Sequence, residues 1–459
     1  MLLRNLLKDE RIFCLAVSFV FITDKHKRGK NLCSLFYTET YKRRCIETNA
    51  SVRYSGKTMR LLYDLTATQP SPESKFHGGG AYGEVVFFKL LDYLDRVSLY
   101  CVYDAKSYIN PQLLEKIRMF NIPLFDINKT PLLKIVKDNN LQRAYSAMLN
   151  LSQKWPLDDV RVYTTVHGLR TVEMPTDYTM HRYETNPFHR CKSFLNEHIF
   201  KGLYRRKMWL INGKIIWDPR IQIITISNHS LASIRSFYPE AMGIHVPVFA
   251  SPTFDQLDNY REEEVEENAD ALQELGIEEH KYFLMTSAAR WIKNTIRAVA
   301  ALDSLFSTKY ADGYKAVVTG VTNPSVFLHG IKNKKRFVFL DYIERPLLNL
   351  LTEKQYAFIY PSLNEGFGYP PIHAMKHGAP VAASGTSSIP EVCGDAALYF
   401  DPYSVSEIRN RLFQLLDADI HADYSARGLK RYEYISAKQK RDLTSLVEFI
   451  IEENADSKF

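Results

Sequence analysis

Four polar side chains stand directly after apolar runs of this sequence, where they could bind a charged ligand. Arg290 and Lys293 follow the run KYFLMTS, Glu365 follows YAFIYPSL, and His167 follows RVYTTV. Two such cations can neutralise a diphosphate without a metal, Arg through a fork of donors and Lys as a point charge. The pattern indicates phosphate chemistry, although Arg290 and Lys293 equally fit a solvated helix start and His167 a hydrogen-bonded structural role.

Glycines and prolines shape the chain that follows Glu365. Gly366 and Gly368 permit a tight loop, and Pro370 and Pro371 suit the first turn of a helix, whose free amides would then point into a ligand cleft. A second glycine loop, SGTSSIPEV, follows the next apolar run and offers hydroxyl and N–H groups to the same place.

A third glycine-rich stretch, HGGGAYGE, follows the run MRLLYDL. Its triple glycine, which includes Gly79 and Gly80, lets the backbone approach a ligand and leads into a helix N-terminus, where free N–H groups favour a phosphate. A plain flexible turn explains these glycines equally well.

The elements that would position these residues alternate along the chain as strand and helix. Five apolar runs, MRLLYDL, VSLYCVYD, IPLFDI, RVYTTVHG and IQIITIS, read as buried parallel strands, and six more follow: KYFLMTS, KAVVTG, RFVFLDY, YAFIYPS, APVAASG and AALYFDP. We predict an α/β fold of two Rossmann-like parallel-sheet domains facing across a cleft, residues 59–255 and 256–430. The acidic stretch Arg261–His280 reads as a solvated helix or loop near their junction.

The net charge of +7 lies entirely in the first 58 residues, which hold 12 Lys and Arg against 5 Asp and Glu. We interpret this segment as a basic extension. Its apolar run Ile12–Ile22 fits a buried element, sequence upstream of a true start at Met59, or a weak membrane anchor, and it is too short to span a bilayer convincingly.

Composition disfavours several classes of protein. The remaining 401 residues are charge-balanced and their basic residues form no aromatic-interleaved stripe, so we expect no nucleic-acid partner. The six cysteines show no metal-ligand or disulfide spacing, as in a reducing compartment, and we predict a cytoplasmic protein without a metal site. The D-x-D at Asp417–Asp419 reads as solvated surface.

The segment Asn364–Pro402 resembles the donor-binding region of the GT-B glycosyltransferases of family 4, which transfer sugars from nucleotide donors with retention of configuration. From Met59 onward the family's motifs occur in the family's order: HGGGAYGE, VHGL, the S-x-x-S element SNHS, ARWIKN, DYI and this segment. The resemblance implies a nucleotide-sugar donor as substrate, no metal, and a closing C-terminal helix over 431–459 that crosses back to the first domain.

The resemblance also implies roles for the residues above. Arg290 and Lys293 would hold the donor diphosphate and stabilise its charge as the sugar leaves. Glu365 would lie against the donor sugar or its phosphate, and His167 near the reacting carbon. The backbone amides of four further residues would cradle the phosphate and sugar: Gly79, Gly80, Phe367 and Gly368.

One position departs from the family pattern. Where a second glutamate usually reaches the donor ribose, eight residues after the first, this chain has His373. A neutral imidazole can accept one hydrogen bond but cannot grip a diol as a carboxylate does. We expect altered nucleotide affinity or base preference.

The predicted function is transfer of a hexose from a nucleotide sugar to a polysaccharide, a lipid-linked acceptor or a similar molecule. Two alternatives stay open: a nucleotide-sugar-binding protein that no longer transfers, and a sugar phosphorylase of the same fold. The segment Tyr178–Lys207, rich in His, Arg and aromatic residues, suits acceptor contacts or a mere surface insertion, and peripheral membrane association is undecided.

Overall fold

The computed structural model describes residues 59–70, 78–253 and 270–452. The basic extension, its apolar run Ile12–Ile22 and residues 261–269 of the acidic stretch lie outside these residues. None of the described helices combines the length and the apolar character needed to cross a membrane.

The first sheet is parallel throughout and has six strands in the order β3-β2-β1-β4-β5-β6. The strands are β1 (Met59–Asp64), β2 (Val97–Tyr103), β3 (Leu124–Asp126), β4 (Arg143–Ser146), β5 (Arg161–Val166) and β6 (Ile221–Thr225). Five of them correspond to predicted runs. The sequence reasoning missed β4, which is only four residues long and lies between β1 and β5.

The second sheet repeats this topology with six parallel strands in the order β12-β11-β10-β7-β8-β9. The strands are β7 (Tyr282–Met285), β8 (Lys315–Thr319), β9 (Phe337–Leu340), β10 (Ala357–Tyr360), β11 (Val381–Ser384) and β12 (Ala397–Phe400). All six match predicted runs, because strands covered on both faces are continuously apolar. The predicted pair of parallel α/β sheets is therefore confirmed.

Helices cover the faces of both sheets. Those of the first half are α1 (Gly78–Leu90), α2 (Pro111–Met119), α3 (Leu132–Asp138), α4 (Arg170–Glu173), α5 (Pro187–His198), α6 (Lys201–Ile216) and α7 (Asn228–Phe237). Those that follow are α8 (Ala271–Glu274), α9 (Thr295–Phe306), α10 (Ser325–Leu328), α11 (Arg345–Glu353), α12 (Tyr369–Lys376), α13 (Ile389–Cys393), α14 (Val405–Gln414) and α15 (Ala418–Ile451). Short 3-10 turns join them at Leu65–Ala67, Leu91–Tyr93, Met180–Tyr183, Pro239–Gly243, Trp291–Lys293, Lys309–Ala311 and Lys334–Arg336.

The helix α15 links the two halves, as predicted for the C-terminal helix. It has 34 residues and begins at Ala418, earlier than expected. Its last turns bury Leu446, Val447 and Ile450 in an apolar cluster shared with the first sheet. The Arg143 guanidinium donates to the carbonyl oxygen of Ile450 over 2.7 Å, which fixes the helix end on the first domain.

Each sheet has one point where the strand order reverses. In the first sheet β1 lies between β2 and β4, and in the second β7 lies between β8 and β10. Connections leave such a point in opposite directions and open a crevice at the carboxyl ends of the strands, where α/β proteins bind ligands. The loops after β7 and β10 carry the predicted phosphate-binding residues.

Candidate functional site

Lys293 and Glu365 form an ion pair at the crevice of the second sheet. Because β7 and β10 are neighbours, the loops that follow them meet. Lys293 Nζ lies 2.7 Å from Glu365 Oε1 and donates to the Tyr360 hydroxyl over 3.3 Å. The Lys293 and Glu365 side chains are only 9% and 18% exposed, so their interaction is little screened by water.

The charges around this pair leave the crevice electropositive. Burial lowers the pKa of Lys293 below its ordinary value, and the Arg290 and Arg170 guanidinium groups add to that effect against the attraction of Glu365. Burial alone would raise the pKa of Glu365, but Lys293, the Ser362 hydroxyl and Arg290 together hold it below its usual value. Arg290 lowers the pKa of both groups, as a second positive charge beside the pair that an anionic ligand would offset.

Arg290 lies on the exposed side of the pair, at the start of the turn Trp291–Lys293. The chain then passes through Asn294 in the left-handed region, at φ 56°. The Asn294 side chain is fully buried and donates to the carbonyl oxygens of Pro361 and Pro402, over 3.1 and 2.7 Å. The sequence reasoning missed Asn294, although asparagine is one of the few residues that tolerate this conformation.

The glycine loop after β11 holds the Glu365 loop in place. The backbone N–H of Glu365 donates to the Ser387 hydroxyl over 3.0 Å. The Ser388 hydroxyl donates to the carbonyl oxygens of Glu365 and Phe367, each over 2.9 Å. The hydroxyls of Ser387 and Ser388 thus orient the backbone that carries the carboxylate, and the expected contact of this loop with a ligand stays a prediction.

Phe367 and Gly368 lie directly before α12, and His373 lies on this helix. Phe367 is buried, with its ring 5.3 Å from that of Tyr369. Gly368 has φ 110°, which only glycine adopts without strain. His373 lies one turn into the helix, with its ring 5.3 Å from that of His377. The predicted contacts of these residues with phosphate and ribose stay predictions.

His167 follows β5 and meets the Glu365 loop through its main chain. A Cβ atom at Gly366 would lie 1.7 Å from the His167 carbonyl oxygen, so only glycine fits there. The imidazole is half-buried, its Nε2 lies 2.9 Å from the Ala147 carbonyl oxygen, and its ring meets that of Tyr82 edge-on at 4.8 Å. His167 is therefore brought to the same cleft as Glu365.

Gly79 and Gly80 form the first turn of α1 rather than a loop before it. A Cβ at Gly79 would lie 2.3 Å from the Met148 sulfur, in the loop after β4. This helix start therefore lies at the crevice of the first sheet, between β1 and β4.

Two glutamates that the sequence reasoning missed join the halves across the cleft. The Glu391 carboxylate accepts hydrogen bonds from the backbone N–H of Asn228, the Asn228 side-chain amide and the N–H of His229, each over 2.9 Å. The Glu173 carboxylate accepts one from the Asn364 side chain and lies 3.2 Å from His229 Nε2. The predicted S-x-x-S element thus opens a helix, α7. Ser227 caps it by accepting from the Ser230 N–H over 3.1 Å, and Glu391 adds a carboxylate from the other half.

A second link lies beside the start of α9. The Arg297 guanidinium grips the Asp177 carboxylate in a fork, with distances of 3.0 and 3.1 Å. The N–H of Ile296 donates to the Tyr183 hydroxyl over 3.1 Å. Burial opposes ionisation of Asp177, but Arg297 and the Thr179 hydroxyl outweigh it and hold the Asp177 pKa below its ordinary value.

No group of three or more His, Cys, Asp or Glu side chains suited to a metal ion occurs among residues 59–70, 78–253 and 270–452. Asp417, in the D-x-D, caps α15: its carboxylate accepts from the N–H groups of Asp419 and Ile420, over 3.0 and 3.1 Å. Asp417 and Asp419 are both exposed, as predicted, and Asp417 has this capping role in addition.

Comparison with known proteins finds similarity in the second half. Residues 267–431 match the family model described as glycosyl transferases group 1. O-antigen chain mannosyltransferase B of Escherichia coli is 39% identical over 99 residues, 21% of this chain and 26% of that protein. O-antigen chain mannosyltransferase RfbU of Salmonella typhimurium is 33% identical over 129 residues, 27% of this chain and 35% of that protein. The chain therefore matches about a quarter to a third of each relative's length.

The fold also matches solved structures. A glycosyltransferase from Rickettsia africae superposes with a TM-score of 0.57 at 16% identity, covering 86% of this chain and all of that one. The architecture of this chain is GT-B, with two parallel-sheet domains and a C-terminal helix that returns to the first.

Proposed function

We propose that this chain, whose second half matches the group 1 glycosyl transferases, is a hexosyltransferase of family 4 that uses a nucleotide-sugar donor. The Lys293–Glu365 pair beside Arg290, in the crevice between β7 and β10, carries the proposal. A surplus of positive charge at this place suits a diphosphate. The names of the two curated relatives make mannose the first sugar to test.

In this proposal the donor diphosphate meets Arg290 first and Lys293 second. Arg290 is exposed and can change its conformation without loss of packing, whereas Lys293 is held by Glu365 and the Tyr360 hydroxyl. Because Lys293 is fixed before the ligand arrives, little reorganisation is needed when charge develops on the leaving phosphate. Glu365 keeps Lys293 in position and stays ionised.

The remaining predicted residues complete the proposed donor site. The amides of Phe367, Gly368, Gly79 and Gly80 would bind phosphate and sugar, and His373 would reach the ribose in place of a carboxylate. His167 would lie beside the reacting carbon. We propose that the anomeric configuration is retained and that the phosphates are neutralised by the two cations without a metal.

The acceptor is proposed to be a polysaccharide or a lipid-linked sugar, as the names of the O-antigen relatives suggest. Cys101, Cys191 and Cys393 are free thiols, which supports a reducing, cytoplasmic environment.

A turnover assay tests this function. The purified full-length protein is incubated with each common nucleotide sugar and a mannose-terminated oligosaccharide, and release of nucleoside diphosphate is followed with and without a chelator. We expect one donor to be consumed, by wild type but not by Arg290→Met, and NMR of the product to show the configuration of the donor. A chelator should not change the rate.

The same assay separates the alternatives. A protein that binds nucleotide but releases no product under any condition would be a donor-binding protein without transfer. Consumption of inorganic phosphate and a disaccharide without any nucleotide would identify a phosphorylase. Either outcome would overturn the proposal.

A further inference from the structure

The consecutive helices α5 and α6, joined by the two-residue turn 199–200, lie between β5 and β6 and expose large apolar side chains. The exposed fractions are 76% for Phe188, 64% for Ile199, 47% for Leu203 and 46% for both Leu210 and Ile211. We call the solvent-facing side of residues 187–216 the hairpin surface. Isolated exposed apolar residues are ordinary, whereas a concentration in one element indicates a partner.

The polarity of α5 is reversed relative to a helix that packs on a core. Its buried residues are Ser193 and Glu197, and Glu197 Oε2 lies 2.7 Å from His181 Nδ1. Phe188 and Phe194 face water instead. The apolar residues of α5 therefore contribute little to burial within the chain.

The helix α6 is apolar on two sides. One side packs on the fold through Trp209, whose indole donates to the Phe237 carbonyl oxygen over 2.8 Å, and through Ile216. The opposite side carries Leu203, Leu210 and Ile211, at the spacing of i, i+7 and i+8 that places residues on one helical face. A helix anchored in this way presents its second apolar side outwards.

Ring contacts join the two helices to the segment before them. The rings of Phe194 and His198 stack at 4.2 Å, and that of Tyr178 lies 5.5 Å from His198. The Lys201 ammonium lies 6.0 Å from the centroid of the Tyr178 ring. These exposed residues form one continuous cluster at the turn between the helices.

The charge of the hairpin surface has a single sign. Its exposed cations are Arg190, Lys192, Lys201, Arg205, Arg206, Lys207 and Lys214. The only acidic residue between 187 and 216 is Glu197, which is 3% exposed and faces inwards. The surface therefore combines apolar side chains with unopposed positive charge.

We propose that the hairpin surface docks on an anionic lipid bilayer. Aromatic and aliphatic side chains can enter the boundary between headgroups and acyl chains, while Lys and Arg attract the anionic headgroups. A second copy of the chain is a poorer partner, because a two-fold contact would set seven cations against seven. A nucleic acid would engage the cations but leave the aliphatic residues uncovered. The proposal stands independently of the transfer reaction.

Vesicle flotation of the full-length protein tests this docking. Vesicles of phosphatidylcholine with phosphatidylglycerol are compared with phosphatidylcholine alone, at low and high salt. We expect binding to the anionic vesicles that weakens with salt, and about a fivefold loss of affinity for each cation removed in Arg205→Gln and Arg206→Gln. The double variant Ile199→Ser/Leu203→Ser should bind at least tenfold more weakly.

A matched control is Met119→Ser/Met242→Ser, because these side chains are 64% and 63% exposed but lie elsewhere on the first domain. This control should bind vesicles as wild type does. Wild-type binding by the hairpin variants would overturn the proposal and would point to the segment before residue 59. If the hairpin-surface variants lost a dimer that wild type forms in light scattering, but kept their vesicle binding, a second copy would cover this surface. That result would overturn the proposal too.

Discussion

At the scale of single residues, Lys293 and Arg290 differ in what their loss should cost. Lys293 is buried against Glu365, whereas Arg290 is exposed. Removing one member of a buried ion pair leaves an uncompensated charge in a poorly solvated place. Folding and ligand binding can therefore be separated by comparing substitutions at these two positions.

We expect Lys293→Met to lower the free energy of unfolding by about 3 kcal/mol, because Glu365 would stay buried without its partner. Urea titration measures the change. Adding Glu365→Gln should restore part of the loss, and Arg290→Met, the matched control, should change stability by less than about 0.5 kcal/mol. Equal stability of wild type and Lys293→Met would contradict a buried pair.

Stability should fall in acid because of Asp177 and Glu365. Both carboxyls have pKa values below the ordinary ones in the folded protein, so the unfolded chain binds protons first as the pH drops. Their contribution is complete above the ordinary carboxyl pKa of about 4 and is lost as the pH falls through the folded values.

The variant Arg297→Met tests the predicted direction of this pH dependence for Asp177. Without the guanidinium the depression of the Asp177 pKa should disappear, so the variant should be less stable by about 3 kcal/mol near pH 7 and the difference should shrink in acid. Unfolding in urea at several pH values measures it. Arg427→Met, which removes an exposed pair of 2.7 Å with Asp423, should leave the curve unchanged. A constant difference between Arg297→Met and wild type at all pH values would contradict the assignment.

At the scale of elements, α7 is a helix whose N-terminus is completed by the other half of the chain. The Glu391 carboxylate faces the free amides and the positive end of the helix dipole. The contact joins the S-x-x-S element to the glycine loop after β11, two motifs separated by more than 150 residues.

We expect Glu391→Gln to lower stability by about 1 kcal/mol, the usual worth of a helix cap. The amide hydrogens of Asn228 and His229 should exchange faster with solvent, which NMR or mass spectrometry can measure. Glu407→Gln, on the surface of α14, should leave these amides as in wild type. Unchanged exchange in Glu391→Gln would mean that the cap does not hold the two halves together in solution.

The elements also show where sequence reasoning reached its limit. Continuous apolar runs identified eleven strands, because burial on both faces leaves an unbroken signal. The strand β4 begins with Arg143, which is buried with its guanidinium over the Tyr163 ring and on the Ile450 carbonyl oxygen in α15. A partner 307 residues away gives no local signal.

The candidate site also has some features that the sequence predicted and others that it could not predict. The glycine and proline signals around Glu365 predicted the loop and the start of α12, since they reflect local backbone conformation. The cross-cleft partners Glu173 and Glu391 could not be predicted, because a single carboxylate in a helix is indistinguishable from a solvated one. Arg170, the first residue of α4, was missed because a single cation in a helix likewise looks solvated in the sequence.

At the scale of the whole molecule, α15 holds the two domains together. Its last turns enter the core of the first domain while its first turns lie on the second. Separation of the domains would therefore expose apolar surface that is buried in the folded chain.

We expect Ile450→Ala to cost about 2–5 kcal/mol, because the side chain is fully buried at the joint. Leu429→Ala, in the same helix but 44% exposed, should change stability by less than about 0.5 kcal/mol. Thermal and urea unfolding compare the two. Similar small effects in both would show that the helix end contributes little to the joint.

The most direct test of the account is a thermal-shift titration of the full-length protein with GDP, UDP and ADP, beside Arg290→Met. We expect one nucleoside diphosphate, at about 100 times its Kd, to stabilise the wild type by about 2.7 kcal/mol. The same concentration should leave Arg290→Met nearly unchanged, because the exposed cation of this crevice is gone. No stabilisation by any of the three, or equal stabilisation of both proteins, would contradict a diphosphate site between β7 and β10.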